Sequence, residues 1–189
     1  AQGGIFHRGG NNFFDPGATP PDPDLKVLVD FVHEAREALG EADTGTATGV
    51  VFVATDATPR AITDIAAWQP GGDVYLLSPP TPAGTLRNLT AAYHGAPADI
   101  RDATVSYDGQ RVAFAMRKDA TDCLNLYVMN LDGGGLIQVT RDTGTLPSGV
   151  KVSSVEPVWG PDDRLYFVST RAGQLSALGV PVSNIWRAD

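Results

Sequence analysis

The stretch from Ser106 to Thr140 opens with Ser106-Tyr107-Asp108-Gly109-Gln110 and runs on through RVAFAM (Arg111 to Met116) and LNLYVMN (Leu124 to Asn130). It closes with Leu131-Asp132-Gly133-Gly134-Gly135 and LIQVT (Leu136 to Thr140). The short runs are rich in β-branched and aromatic residues, and each is bounded by turn formers, so they read as strands. Asp108-Gly109 and Asp132-Gly133 fall where hairpins need residues that tolerate positive φ, which makes both turns physically motivated. Thr104 to Ser106 leads into the first turn as a further strand.

Working outward, the pattern returns. Glu156-Pro157-Val158-Trp159-Gly160-Pro161-Asp162-Asp163 precedes RLYFVS (Arg164 to Ser169), and after a long loop over Arg171 to Val182 the segment SNIWRAD (Ser183 to Asp189) matches CLNLYVMN (Cys123 to Asn130). GDVYLLS (Gly72 to Ser78) is an earlier version of the same start, with VVFVAT (Val50 to Thr55) before it and LRNLT (Leu86 to Thr90) after it. Phe114 and Phe167 stand 53 residues apart, Thr90 and Thr140 50, and Tyr127 and Trp186 59, the excess lying in loops. Four strands in roughly 50 residues is the size of a β-propeller blade lengthened by insertions. Such a unit covers its apolar face only with its neighbours. The expected fold is therefore all-β: a partial β-propeller of four-stranded antiparallel blades over residues 50–189, about two and a half blades, truncated mid-blade. A two-sheet β-sandwich is the alternative.

Residues 1–49 read differently. The first 24 residues mix Gly, Asn, Asp and Pro without a period and read as an extended arm, with Phe6, Phe13 and Phe14 as its anchors on another surface. Apolar residues at Leu25, Leu28, Phe31, Val32, Ala35, Ala38 and Leu39 then follow a 3.6-residue period. Asp22 is placed to cap, Pro23 to take the first helical position and Gly40 to end a helix from about Pro23 to Leu39.

The composition of the 189 residues, 42% hydrophobic and 19% charged, is that of a folded protein, and a formal charge of -8 argues against a nucleic-acid groove. Apolar runs such as Val50 to Ala54 fall far short of the roughly 20 residues needed for a membrane-spanning helix. A single cysteine, Cys123, permits no intrachain disulfide, no cysteine-rich zinc site and no Cys-x-x-Cys-His haem attachment.

The segments Ser106 to Phe114, Asn125 to Gly134 and Gln138-Val139-Thr140 together resemble the blade repeat of TolB-like β-propellers, in which the Asp-Gly turn and the Tyr-x-x-Asn-x-Asp-Gly-Gly segment recur. The resemblance covers about Val50 to Asp189. In detail, Gly72 to Thr90, Ala98 to Lys118 and Pro157 to Arg171 are most similar to the propeller domain of hydrazine-synthase alpha-subunit-like bacterial proteins. It implies a larger, exported parent, periplasmic or secreted, in which this stretch is a non-catalytic binding or scaffold module. Its partner would be the remainder of the propeller or another protein chain. The alternative it implies is the propeller portion of a haem-dependent redox enzyme. Any haem would then be held elsewhere in the parent, because the attachment motif is missing here. Asp163 replaces the turn glycine in the second copy, and that turn is one residue shorter.

No residue is assigned a catalytic, cofactor-binding or metal-binding role. Without a Gly-x-Ser-x-Gly elbow an α/β-hydrolase nucleophile is not supported. Gly133-Gly134-Gly135 joins two strands and opens no helix, which favours a hairpin over a phosphate cradle. Asp15, Asp22 and Asp24 lack the spacing of a calcium loop, and His33 has no second histidine at a metal spacing. Asp119 and Asp122 read as a solvated loop, and Cys123 as a buried, inert thiol. Trp159 and Trp186 fall at strand positions suited to packing between blades, and Trp68 completes the set weighed as a ligand platform. Tyr93 and His94 lie in a loop between blades, where propellers commonly present residues to ligands or to the central channel.

Overall fold

The computed structural model describes residues 48–55, 67–179 and 181–188; the arm and the helix expected over 1–49 lie almost wholly outside these. The described residues form three antiparallel sheets, each a meander in chain order. The first holds β1 (Val50–Ala54), β2 (Asp73–Ser78) and β3 (Thr85–Asn88). The second holds β4 (Asp99–Val105), β5 (Arg111–Arg117), β6 (Asn125–Asn130) and β7 (Ile137–Gln138). The third holds β8 (Ser154–Trp159), β9 (Leu165–Ser169) and β10 (Asn184–Ala188). A single turn of 3-10 helix, Ala91–Tyr93, follows β3.

The middle sheet explains the arrangement. Side chains alternate across a strand, so Val112, Phe114 and Met116 of β5, with Tyr127 and Met129 of β6, share one face and pack on the first sheet through Val74, Val51, Val53 and Leu76. Ala113 and Ala115, with Leu124, Leu126 and Val128, share the other face and pack on Val155, Trp159, Leu165 and Phe167 of the third sheet. A sheet buried on both faces between two others excludes a two-sheet sandwich.

The two faces of each sheet differ in kind. The aromatic pair Phe114–Tyr127 is stacked with ring centroids 6.1 Å apart, and Phe52–Tyr75 of the first sheet repeats it at 5.8 Å. In the third sheet Phe167 and Trp186 are register partners. In the first and second sheets the opposite face is aliphatic or small, and it is filled by the aromatic face of the sheet that follows. The opposite face of the third sheet carries Tyr166 and Arg187 beside Val168 and Ile185.

A polar lock repeats as well. Thr140 Oγ1 donates to Asn125 Oδ1 (3.0 Å) and accepts the Leu126 N–H (2.8 Å), tying the end of the unit to β6. In the first sheet Thr90 Oγ1 donates to Asp73 Oδ1 (2.6 Å) and accepts the Val74 N–H (3.0 Å) in the same way. Asn184 opens β10 at the matching position. By these correspondences β1–β3 match the second to fourth strands of β4–β7, and β8–β10 match the first to third.

Two strands are longer than the sequence suggests. β4 begins at Asp99 and β8 at Ser154, and each carries a register shift, between Arg101 and Thr104 and between Val155 and Val158. Asp102 (φ 57°) and Glu156 (φ 55°) sit at those shifts in the left-handed region, which breaks the alternation a strand would show. The Asp102 carboxylate accepts the Glu156 N–H at 3.2 Å, so the two irregularities meet. The shortened second turn is also present: Trp159 pairs Leu165 where Val105 pairs Val112, and Asp163 takes φ 61° where Gly109 takes 68°.

Truncating Phe114, which is wholly buried, leaves a cavity between the first two sheets, so Phe114→Ala is expected to lower stability by about 3–5 kcal/mol. Enlarging the opposite face should also cost stability: Ala115→Leu overpacks against the third sheet by about 1–3 kcal/mol. Urea denaturation of both variants measures this, and losses under about 0.5 kcal/mol in both would show that β5 is not buried on two sides.

Candidate functional site

Tyr93 and His94 are neighbours in sequence but separate in role. The Tyr93 hydroxyl donates to the Gly133 carbonyl at 2.7 Å, and its ring packs against the first core, so it ties the first sheet to the β6–β7 turn. Arg87 reinforces that tie by donating to the carbonyls of Leu131 and Asp132. The turn is thus a clamped hairpin, with Gly133 at φ 86° and Gly135 at φ 67°, as the sequence favours over a phosphate cradle.

His94 turns the other way, into a shallow cleft of about 490 Å³ bounded by Asp73, Tyr75, the Gly71-Gly72 backbone and Ala96-Pro97. Nε2 lies 2.9 Å from Asp73 Oδ1 and Nδ1 lies 2.9 Å from the Ala96 carbonyl. Both partners are acceptors, so whichever ring nitrogen carries the proton donates to the acceptor that it faces. Burial, with the Asp73 carboxylate adding to it, pushes the Tyr75 phenol above its ordinary value, and its oxygen accepts from Asn88 Nδ2 at 3.3 Å. Gly72 shapes the cleft floor: a Cβ there would stand 2.8 Å from the Ile100 backbone.

These groups do not form a nucleophilic triad. Such a triad needs a histidine bridging acid and hydroxyl. Here Asp73 is the bridge, taking both the Thr90 hydroxyl and the His94 ring on Oδ1, and Thr90 is fully buried. Among the described residues no group of three or more His, Cys, Asp or Glu side chains could hold a metal ion. The cleft presents the Asp73 carboxylate and the Ala96 carbonyl as acceptors, and among its described lining residues no hydroxyl or thiol is paired with the His94 ring.

Beside the cleft, Asp99 is wholly buried under two guanidinium groups. Arg101 reaches it through Nε and Nη2 (both 2.7 Å), and Arg117 through Nε (3.0 Å) and Nη2 (2.8 Å). The Gln69 N–H adds a bond at 3.1 Å, and both arginines donate to the Ala67 carbonyl. Arg117 lies over Trp68, 5.3 Å from the ring centroid. Trp68 is thus the lid of a structural ion network that fastens 67–69 to β4 and β5.

The remaining sequence candidates resolve into structure. Trp159 is buried between the second and third sheets, with Nε1 donating to the Thr104 carbonyl at 3.3 Å, and Trp186 packs on the same core. Asp119 accepts the N–H groups of Thr121 (2.7 Å) and Asp122 (3.2 Å) and closes its own exposed loop. Cys123 is buried, its Sγ 3.3 Å from the Gly144 carbonyl, and desolvation pushes the thiol up. Asp15, Asp22, Asp24 and His33 lie outside the described residues.

Two features escaped sequence reasoning. Asp73 and His94 are 21 residues apart with no local pattern, although Asp73 stands where the later copies have Asn125 and Asn184. Asp99, Arg101 and Arg117 could have been suspected from charges placed at the ends of apolar strands.

Comparison with solved structures places this fold. Kuenenia stuttgartiensis hydrazine synthase is similar over 77% of this chain and 21% of its own, at 19% identity and a TM-score of 0.55. A putative TolB from Agrobacterium tumefaciens is 26% identical over 61% of this chain and 33% of its own, with a TM-score of 0.41. The tricorn protease is 16% identical over 60% and 10%, with a TM-score of 0.39. No protein-family model and no curated protein matches the chain. The fold is propeller-like, resembling hydrazine synthase. The chain spans about a fifth of the hydrazine synthase chain that it matches.

Because the Cys123 thiol is raised and covered, an aromatic disulfide reagent at neutral pH is expected to leave it intact over the time in which it titrates the urea-unfolded chain fully. Equal rates in both states would contradict its burial. Removing the carboxylate at the centre of the arginine network, Asp99→Ala, is expected to cost about 3–5 kcal/mol in a denaturation experiment.

Proposed function

We propose that this chain is an arc of a β-propeller built from four-stranded blades, a non-catalytic binding or scaffold module of a larger exported protein. The observation that carries the reading is the middle sheet, β4–β7. It has four antiparallel strands and is covered on one face by β1–β3 and on the other by β8–β10. Three strands in each flanking sheet, at matching repeat positions, fit about two and a half blades. Non-catalytic binding fits a cleft whose acid and histidine engage one another and the backbone, with no nucleophile between them.

The second reading, the propeller portion of a haem-dependent redox enzyme, draws on the likeness to hydrazine synthase. The described residues do not fit a haem of their own. Cys123 is buried, and both ring nitrogens of His94 are engaged. A haem would have to come from elsewhere in the parent.

The test is the intact parent, purified under native conditions and taken through size-exclusion chromatography with its absorption spectrum recorded. The scaffold reading predicts a stoichiometric protein complex and no haem band. A monomeric parent with a covalent-haem spectrum would replace it with the redox reading.

A further inference from the structure

The lock that closes the second sheet is built around an amide. Asn125 Oδ1 accepts the Thr140 hydroxyl (3.0 Å) and the Asp142 N–H (2.7 Å), while Nδ2 donates to the carbonyls of Cys123 (3.3 Å) and Asp142 (3.2 Å). All four hydrogen-bonding positions of the amide are filled.

Asp73 holds the same place in the first sheet, with an oxygen where the amide nitrogen would be. Its Oδ1 repeats the threonine contact, to Thr90 at 2.6 Å, and His94 Nε2 at 2.9 Å stands in for the Asp142 N–H. Oδ2 cannot donate as Nδ2 does, and it has no hydrogen-bond partner among the described residues. The exchange therefore puts an acceptor where the second unit has a donor facing carbonyls. Gly71, the counterpart of Cys123, lines the cleft beside Asp73. The Asp73 side chain is 22% exposed, so its charge is partly withdrawn from water with no fixed cation on Oδ2.

The same chain shows which group answers a carboxylate beside a carbonyl. At Asp99, Arg101 Nη2 donates to Oδ2 (2.7 Å) and to the Ala67 carbonyl (2.7 Å), and Arg117 Nη2 bridges the same two groups. A guanidinium spans such a pair because it carries several donors in one planar fork, whereas an ammonium is a point charge. Both of those arginines are engaged at Asp99, which leaves Asp73 to be met from outside. Among the described residues no third metal-ligating side chain joins Asp73 and His94, which favours an organic cation over a metal. The cleft is shallow, with Tyr75 in its wall, and suits the end of a side chain better than an enclosed small molecule.

We propose that the Asp73–His94 cleft binds the guanidinium of an arginine side chain on a partner protein, with Asp73 Oδ2 as the charged acceptor. The inference rests on the binding-module reading above and names the chemistry of its partner.

The intact parent, stripped of partners in high salt and returned to low salt, is titrated with N-acetylarginine N-methylamide while amide exchange is followed by mass spectrometry. Exchange in residues 71–75 and 92–98 is expected to slow saturably. Asp73→Asn places at the lock the residue that the other two copies carry, so it is expected to keep the fold. It should weaken binding by about tenfold or more, as loss of a charge-assisted bond does. Gly95→Leu is a second variant: a Cβ there meets nothing within 4 Å, so the new side chain enters the cleft without a clash and is expected to weaken binding as well. Slow exchange of the β5 and β6 amides confirms that each variant is folded.

Absence of saturable slowing in the wild type would overturn the proposal. So would equal slowing by N-acetyllysine N-methylamide, or tighter binding of free arginine than of the capped form. Undiminished affinity in folded Asp73→Asn, or in Gly95→Leu where Asp73→Asn does not fold, would overturn it too. A parent that ignores the probe yet elutes as a stoichiometric protein complex without haem leaves the module reading standing. A monomeric parent with a haem band removes that reading whatever the probe does.

Discussion

The structure depends on one contact, the seating of an aromatic sheet face on an aliphatic one. β5 cannot bury Phe114 and Ala115 at once unless it has a neighbour on each side, because adjacent residues of a strand point in opposite directions. Large rings on one face and alanines on the other make the two interfaces different, and the difference gives the stack a direction. Hydrophobic burial of this kind is non-directional by itself. The order comes from the repeat, which presents an aromatic face in each sheet.

Polar contacts fix what the apolar ones leave loose. The threonine that ends a unit, Thr90 or Thr140, donates to the residue that opens the third strand, Asp73 or Asn125, and accepts the next N–H. It holds the end of the unit to its interior strand. Between sheets, Trp159 reaches the Thr104 carbonyl, and Arg111 spans from β5 to Asp163 (2.5 Å) while lying 4.7 Å from the Trp159 ring centroid. The first unit has modified its lock. With Asp73 in place of asparagine, the same carboxylate also takes His94, and the modification lines the cleft.

The fold was legible in the sequence where the local chemistry was regular. RVAFAM and LNLYVMN are short apolar runs bounded by turn formers, and the Asp-Gly turns lie where the backbone needs positive φ. The inner strands β4 and β8 were legible only in part. Asp99, Arg101 and Asp102 in one, and Glu156 and Pro157 in the other, interrupt the apolar pattern because those strands carry bulges and a buried ion network. The packing roles of Trp159 and Trp186 followed from their strand positions, and the buried state of Cys123 from its isolation without a local base. The His94–Asp73 pair was not legible, since it joins a loop to a strand across a fold that periodicity does not specify. Comparing repeat positions exposes it, because Asp73 alone departs from asparagine.

Function is where the sequence says least, because turn formers and packing residues recur in propeller units whatever those units bind. The structure adds a cleft lined by Asp73, Tyr75 and His94. Amide hydrogen exchange by mass spectrometry tests the underlying claim most directly. A middle sheet covered on both sides should make the amides of β5 and β6 the slowest to exchange among the described strands, with those of β9 and β10 measurably faster. Equal protection in β5 and β9, or faster exchange in β5, would contradict the stacked arrangement.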